Sequence, residues 1–123
     1  MKKLVYIASP YTLGDPVLNV RTQIDAAEKV TELGFLPYIP LLNHLWHIAS
    51  PHDYQYWIDA GIEWVRHCDI LLRLPGDSKG ADAEVQLAAE LGIPVIYGLH
   101  NFRMYVQFDI IKIEVKFPPA SEG

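Results

Sequence analysis

Cys68-Asp-Ile-Leu-Leu-Arg-Leu-Pro-Gly-Asp-Ser-Lys-Gly-Ala-Asp-Ala-Glu-Val-Gln-Leu-Ala-Ala-Glu-Leu-Gly-Ile-Pro94 reads as a buried strand, a turn and a helix. The apolar run Ile70, Leu71, Leu72 and Leu74 has the unbroken hydrophobicity of a strand covered on both faces, and Pro75-Gly76-Asp77-Ser78 stops it. From Gly80 the pattern turns helical: Ala81, Glu84, Leu87, Ala88 and Leu91 share one stripe, and Gly92 and Pro94 end the element. Glu84 is the one charged member of that inward-facing row. Two readings of it stand. An acidic residue near a helix start complements the positive end of the helix dipole. Alternatively, a carboxylate at a sheet's carboxyl edge, where α/β folds bind ligands, beside a turn of free N–H groups, suits attack on an anomeric carbon.

Working outward, Lys3 to Ala8 reads as a central first strand, followed by a turn-rich loop from Ser9 to Leu18. Val20, Ile24, Ala27, Val30 and Leu33 recur at helical spacing, with Asn19 as the expected N-cap and Gly34 as the stop. Phe35 to Ile39 is a short second strand, and Pro37, which has no N–H for a ladder, assigns it to an edge. Pro40 to Pro51 reads as a loop, Asp53 to His67 as a helix, Pro94 to Tyr97 as the fourth strand and Asn101 to Gln107 as a short helical turn. Late alternation over Asp109 to Val115 predicts a fifth strand. The expected fold is a flavodoxin-like or Rossmann-like three-layer α/β sandwich with a mostly parallel five-stranded sheet, order 2-1-3-4-5. It forms one domain over residues 1–116, with 117–123 as a loose tail.

Half of the 123 residues are hydrophobic, which supplies a real core for one compact domain and is too little chain for two. The net charge is −5 with no lysine or arginine cluster, which argues against polymeric nucleic acid as a partner and leaves a small nucleoside open. A single cysteine excludes an internal disulfide framework and fits a reducing compartment. Only the short run Leu4 to Ala8 follows Met1-Lys2-Lys3, so neither a signal peptide nor a spanning helix is expected. The expectation is a cytoplasmic protein with no membrane partner.

Tyr6-Ile-Ala-Ser-Pro-Tyr11, then Cys68-Asp69, then Ser78-Lys-Gly-Ala-Asp-Ala-Glu84 with Ala88 and Gly92-Ile-Pro94, resemble the nucleoside 2-deoxyribosyltransferase superfamily. The likeness runs from about Leu4 to Tyr97. It implies an enzyme that cleaves N-glycosidic bonds by double displacement, with Glu84 as nucleophile and Tyr6 orienting it. It also implies no cofactor, and a homodimer or assembly of dimers whose pockets are partly shared. Nucleosides or nucleotides and free nucleobases are the implied small-molecule partners. Ser9, Pro10 and Tyr11 fall in the loop that helps form the sugar or phosphate pocket. Asn43 and His44 fall in the base-holding loop, His44 standing where a transferase has an amide side chain. Related nucleotide N-hydrolases place a serine on the 5′-phosphate at the position of Ser78, and a helix N-terminus at Ser78, Lys79 and Gly80 suits a phosphate. A plain N-cap is the other reading of Ser78.

One departure concerns proton transfer. The family's aspartate, eight residues before the strand aspartate, is replaced by Gly61. Asp59 and Glu63 flank it, and Asp59 is the candidate acid if the helix is shifted; otherwise Asp82, His44 or water must serve. His44, His47 and His52 match no usual ligand spacing, and no carboxylate or cysteine completes them, so no metal is expected. Cys68 lacks a histidine partner and reads as a small core residue. Asp69 reads as structural. A flavin nucleotide is disfavoured by the absence of a phosphate nest in the first loop. A deoxynucleoside monophosphate N-hydrolase and a non-catalytic nucleotide-binding protein of the same fold are the remaining alternatives.

Overall fold

The computed structural model of the protein describes the backbone of residues 1–114 and the side chains of residues 1–108. The tail expected at 117–123 lies outside the described residues. Four strands form a parallel sheet in the order β2-β1-β3-β4: β1 (Leu4–Ala8), β2 (Leu36–Tyr38), β3 (Ile70–Arg73) and β4 (Val95–Tyr97). Val5 pairs with Ile70 on one side and Pro37 on the other, and Leu71 pairs with Val95. Pro37 sits on the edge strand, where its missing N–H leaves no central ladder bond unmade.

Alternation along the strands divides the core in two. Val5, Ile7, Ile70, Leu72 and Leu74 pack on one face with Ala26, Ala27 and Val30 of α1 (Pro16–Glu32) and Phe102 and Val106 of α5 (Gly98–Glu114). Tyr6, Ala8 and Leu71 point to the other face, against Val65 of α3 (Tyr54–Arg66), Cys68, and Ala81 and Ala88 of α4 (Lys79–Glu90). Each fully buried aliphatic side chain contributes about 1.5–3 kcal/mol, so this double-sided burial of β1 and β3 holds the three layers together. The architecture is the flavodoxin-like sandwich that the pattern of elements predicts, with one strand fewer among the described residues.

Three local expectations are corrected. The fifth strand does not form: the backbone stays helical from Gly98 through Glu114, and Val115 lies outside the described residues. Phe102 and Val106, four apart, set a helical face that buries both, and the short helical turn expected at Asn101 to Gln107 is part of this longer helix. Helix α1 begins earlier than expected. Asp15 caps it by accepting from the N–H groups of Val17 and Leu18 at 2.9 and 3.3 Å, and Pro16 occupies the first turn, where its missing N–H is harmless. Asn19 instead donates from its side chain to the carbonyls of Tyr11 and Leu13, folding the first loop back on the helix. Finally, the supposed loop after β2 is a 3-10 turn at Pro40–Leu42 followed by the short helix α2 (Asn43–Ala49). Among the described residues no helix is long and apolar enough to cross a membrane.

Candidate active site

Helix α4 starts at the carboxyl end of β3, its N-terminus closed by the Ser78 hydroxyl, which accepts from the Ala81 N–H at 3.1 Å. Glu84 lies within the next turn and reaches back over the sheet, where its Oε2 accepts a hydrogen bond from the hydroxyl of Tyr6. Tyr6 is 1% exposed, so the hydroxyl that meets Glu84 comes from inside the core. Burial pushes the Glu84 carboxyl up to about 7, against the opposing pull of the Tyr6 hydrogen bond and the Arg73 charge. Burial first, and the Glu84 charge second, drive the Tyr6 phenol well above its usual range, so it remains a donor. A half-buried carboxyl pushed toward neutrality at a sheet's carboxyl edge is the kind of group found at reacting centres.

The third wall of this couple is Gly61 of α3. A Cβ at that position would stand 3.5 Å from the Tyr6 hydroxyl and 3.6 Å from Glu84 Oε2, so this helix face looks straight at the pair. Asp59 is on another face: two residues rotate a helix by roughly 200°. Its exposed carboxylate accepts from Gln55 at 2.8 Å, and Glu63 is likewise exposed, beside Arg66 at 4.0 Å. The helix is therefore not shifted, and the structure brings neither flanking carboxylate to Glu84. Tyr38, at the end of β2, stacks on Trp64 with ring centres 4.3 Å apart and an interplanar angle of 17°, and lies 5.5 Å from the Tyr6 ring. Asn43 donates to the Tyr38 hydroxyl at 3.4 Å.

The first loop and α2 meet above this wall. Tyr11 and His44 share a hydrogen bond between the phenol oxygen and Nδ1, with their rings edge to face. Ser9 is buried, and its hydroxyl accepts from Gln23 at 2.7 Å. Gln23, wholly buried on α1, also donates to the Ile7 carbonyl and accepts from the Leu41 N–H, both at 2.9 Å, so one amide joins the ends of β1 and β2. Pro10 presses on Gly76, whose φ of +113° suits glycine; a Cβ there would lie 2.8 Å from Pro10 Cγ. Lys79 and Gly80 are exposed in the first turn of α4. Thus Tyr6, Glu84 and Gly61 form one cluster, Ser9, Pro10 and Tyr11 sit in the neighbouring first loop, Asn43 and His44 sit in the first turn of α2, and Asp59 stands apart.

Four members of this region are not among the residues that the sequence singles out: Arg73, a cation inside an apolar strand run and the one visible anomaly; Tyr38, which ends a short strand; Gln23, a polar residue on an apolar helix face; and Trp64, one of several aromatics on its helix. Arg73 also lines an open pocket of about 360 Å³ with Pro75, Gly76, Asp82, Tyr97 and Gly98. That pocket does not include Glu84, whose geometry with Tyr6 and Gly61 makes the stronger case for a reacting centre. His47 and His52 belong elsewhere: His47 Nδ1 accepts from Trp57 and from the His52 N–H, and His52 stacks on Tyr56. Among the described residues no three His, Cys, Asp or Glu side chains gather as metal ligands would. Cys68 donates to the Val65 carbonyl, and burial pushes its thiol up to about 11. Asp69 accepts from the Leu4 N–H at 2.7 Å, a tie at the amino edge of the sheet.

This sandwich is the fold of the 2-deoxyribosyltransferases. The enzyme from Leishmania mexicana matches with a TM-score of 0.59 and 23% identity over 77% of this chain and 63% of its own. The chain thus spans under two thirds of that enzyme's length. A 2-deoxyribosyltransferase from the psychrotolerant Bacillus psychrosaccharolyticus gives 0.57 and 20%, over 76% of this chain and 70% of its own. A conserved protein from Enterococcus faecalis V583 gives 0.67 and 21%, over 89% and 76%. No curated protein matches the sequence. Residues 3–98 match the family described as Domain of unknown function (DUF7768), and the chain belongs to that family.

Proposed function

We propose that this protein cleaves the N-glycosidic bond of a nucleoside or nucleotide by double displacement, with Glu84 as nucleophile. The observation that carries the reading is the Tyr6–Glu84 hydrogen bond facing the bare backbone of Gly61. The ionised Glu84 carboxylate attacks C1′, the C1′–N bond breaks, and its electron pair leaves on the base, which takes up a proton. A second base or water then attacks C1′ of the glycosyl ester, loses a proton and frees the carboxylate. The two solved transferases of this fold support the reading, one of them described as a biocatalyst for nucleoside synthesis. Tyr6 holds one carboxylate oxygen in place and leaves the other to react.

Proton delivery is where this chain departs from the resemblance. Asp59 would need a change in the α3 surface to reach the base, so His44, Asp82 or water is the better assignment here. General-acid help is worth about 10²–10⁴-fold, so slow turnover is the expected consequence. Ser9, Pro10, Tyr11, Asn43 and His44 are assigned to the sugar and base. A monophosphate N-hydrolase is the second reading. Ser78 uses an oxygen lone pair for its cap and keeps its hydroxyl proton to donate, beside Lys79, which pairs with no carboxylate among the described residues. Exposed Leu45, Ile48 and Tyr54 on α2 and α3 support an assembly of at least two copies.

The deciding assay incubates purified protein with deoxynucleosides and deoxynucleoside monophosphates in parallel, with and without a second free base. A new nucleoside formed only with the acceptor establishes a transferase. Base released from the monophosphates alone establishes an N-hydrolase and assigns Ser78 and Lys79 to the phosphate. Full activity in Glu84→Ala overturns the mechanism; ligand binding without turnover in the wild type leaves a nucleotide-binding protein.

A further inference from the structure

Arg73 ends β3 with its side chain 7% exposed, a cation in a layer of aliphatic groups. Its guanidinium donates to the Leu74 carbonyl, to the Gly76 carbonyl at 2.8 Å and to the Asp82 carboxylate at 3.0 Å. Those acceptors belong to the β3–α4 turn and to the first turn of α4, so one planar fork ties the end of the strand to the start of the helix. The same turn bears on the first loop through the Gly76–Pro10 approach. Asp82, by contrast, is 72% exposed and its charge is largely screened by solvent.

Glu84 rides on the helix that this fork anchors. Tyr6 from β1 and Arg73 from β3 act on its carboxyl, its charge in turn bears on the Tyr38 phenol of β2, and α3 presents Gly61 and no charge. Among these groups Arg73 is the cation, set in the low-dielectric interior where a charge acts most strongly. We propose that Arg73 is a positioning residue for Glu84: its guanidinium fixes the turn from which α4 departs and supplies the field that favours the carboxylate form, with Asp82 as a partial counter-charge. This rests on Glu84 being the reacting carboxylate, yet its test needs no turnover.

The experiment is a carbon NMR titration of protein labelled at the glutamate carboxyl carbons, with the Glu84 signal assigned by its loss in Glu84→Gln. Arg73→Met moves the Glu84 midpoint to higher pH. Asp82→Asn, which breaks the same ion pair but strips the counter-charge, moves it to lower pH. Arg73→Lys keeps the charge without the planar fork, so the midpoint stays close to wild type while thermal stability falls. If Arg73 only braces the turn, Arg73→Met hydrates Glu84 and the midpoint drops; that result, or no shift, overturns the inference. Should Arg73→Met not fold, Arg73→Gln, neutral but still a donor to the turn carbonyls, carries the same test with the same signs. The expected pair of shifts in a protein that releases no base upholds Arg73's role while removing the proposed reaction.

Discussion

Replacing Glu84 by glutamine converts the burial of one carboxyl into a measurable change of stability with pH. The group titrates at about 7 in the fold and at 4.5 in its unperturbed state. Below pH 4.5 both the folded and unfolded chains hold the proton, and its burial in neutral form adds no ionisation cost. As pH rises from 4.5 to 7 the unfolded chain ionises first, so the folded chain binds more protons and stability falls. Above pH 7 both are ionised and the accumulated loss levels off at about 3 kcal/mol. Glutamine keeps an oxygen to accept from Tyr6 and cannot ionise. The variant is therefore expected to match wild type near pH 4.5 and to exceed it by about 3 kcal/mol at pH 8, roughly 10 °C in melting temperature. Urea denaturation followed by circular dichroism at pH 4.5, 6, 7 and 8 reads the difference, in which every other titrating group cancels. A difference that does not grow with pH, or that favours wild type at pH 8, refutes the placement of the Glu84 carboxyl in a partly dehydrated site.

Other substitutions probe the same neighbourhood. Tyr6→Phe removes a hydrogen bond that favours the carboxylate, so the Glu84 midpoint should move to higher pH and stability at pH 8 should fall by about 1–3 kcal/mol; an unchanged midpoint would separate the two groups. Gly61→Ala should stabilise α3 by about 0.5–1 kcal/mol in thermal denaturation, because the new Cβ makes ordinary contacts at 3.5 and 3.6 Å; a loss of stability would mean a tighter wall than the distances allow. Gly61→Asp should push the Glu84 midpoint up by like-charge repulsion and, if a missing acid limits turnover, raise base release about 10²–10⁴-fold. Gly76→Ala should cost about 1–3 kcal/mol, since it combines a φ of +113° with a clash against Pro10; a neutral result would show that the two loops do not touch.

The parts legible in the sequence are those where one physical signal acts alone. The unbroken run Ile70 to Leu72 gave β3, the stripe from Ala81 to Ala88 gave α4, and Pro37 placed β2 at the edge. Competing signals misled elsewhere. Asp15-Pro16 and Asn19 both offer a helix start, and the proline in the first turn with two main-chain bonds to Asp15 decides for the former. Residues 109–114 alternate as a strand would, but they continue a helix already anchored by Phe102 and Val106, and six residues are too few for alternation to override that. Helix α2 has no side-chain cap bond and only seven residues; its ring contacts with α3, such as Trp46 with Trp57 at 5.2 Å, come from chain eleven residues away. Within the site, helical phase alone placed Gly61 and Asp59 on different faces, whereas the Tyr38–Trp64 stack and the Arg73 fork depend on tertiary packing that spacing does not reveal.

The most direct test of a nucleophilic Glu84 is intact-mass and peptide-mapping spectrometry after brief incubation with a deoxynucleoside and an acid quench. A deoxyribosyl adduct on the peptide containing Glu84, absent in Glu84→Gln and discharged by added base or water, is the expected result. Base release with no adduct in the wild type, or an adduct that persists on another residue in Glu84→Gln, would contradict the account.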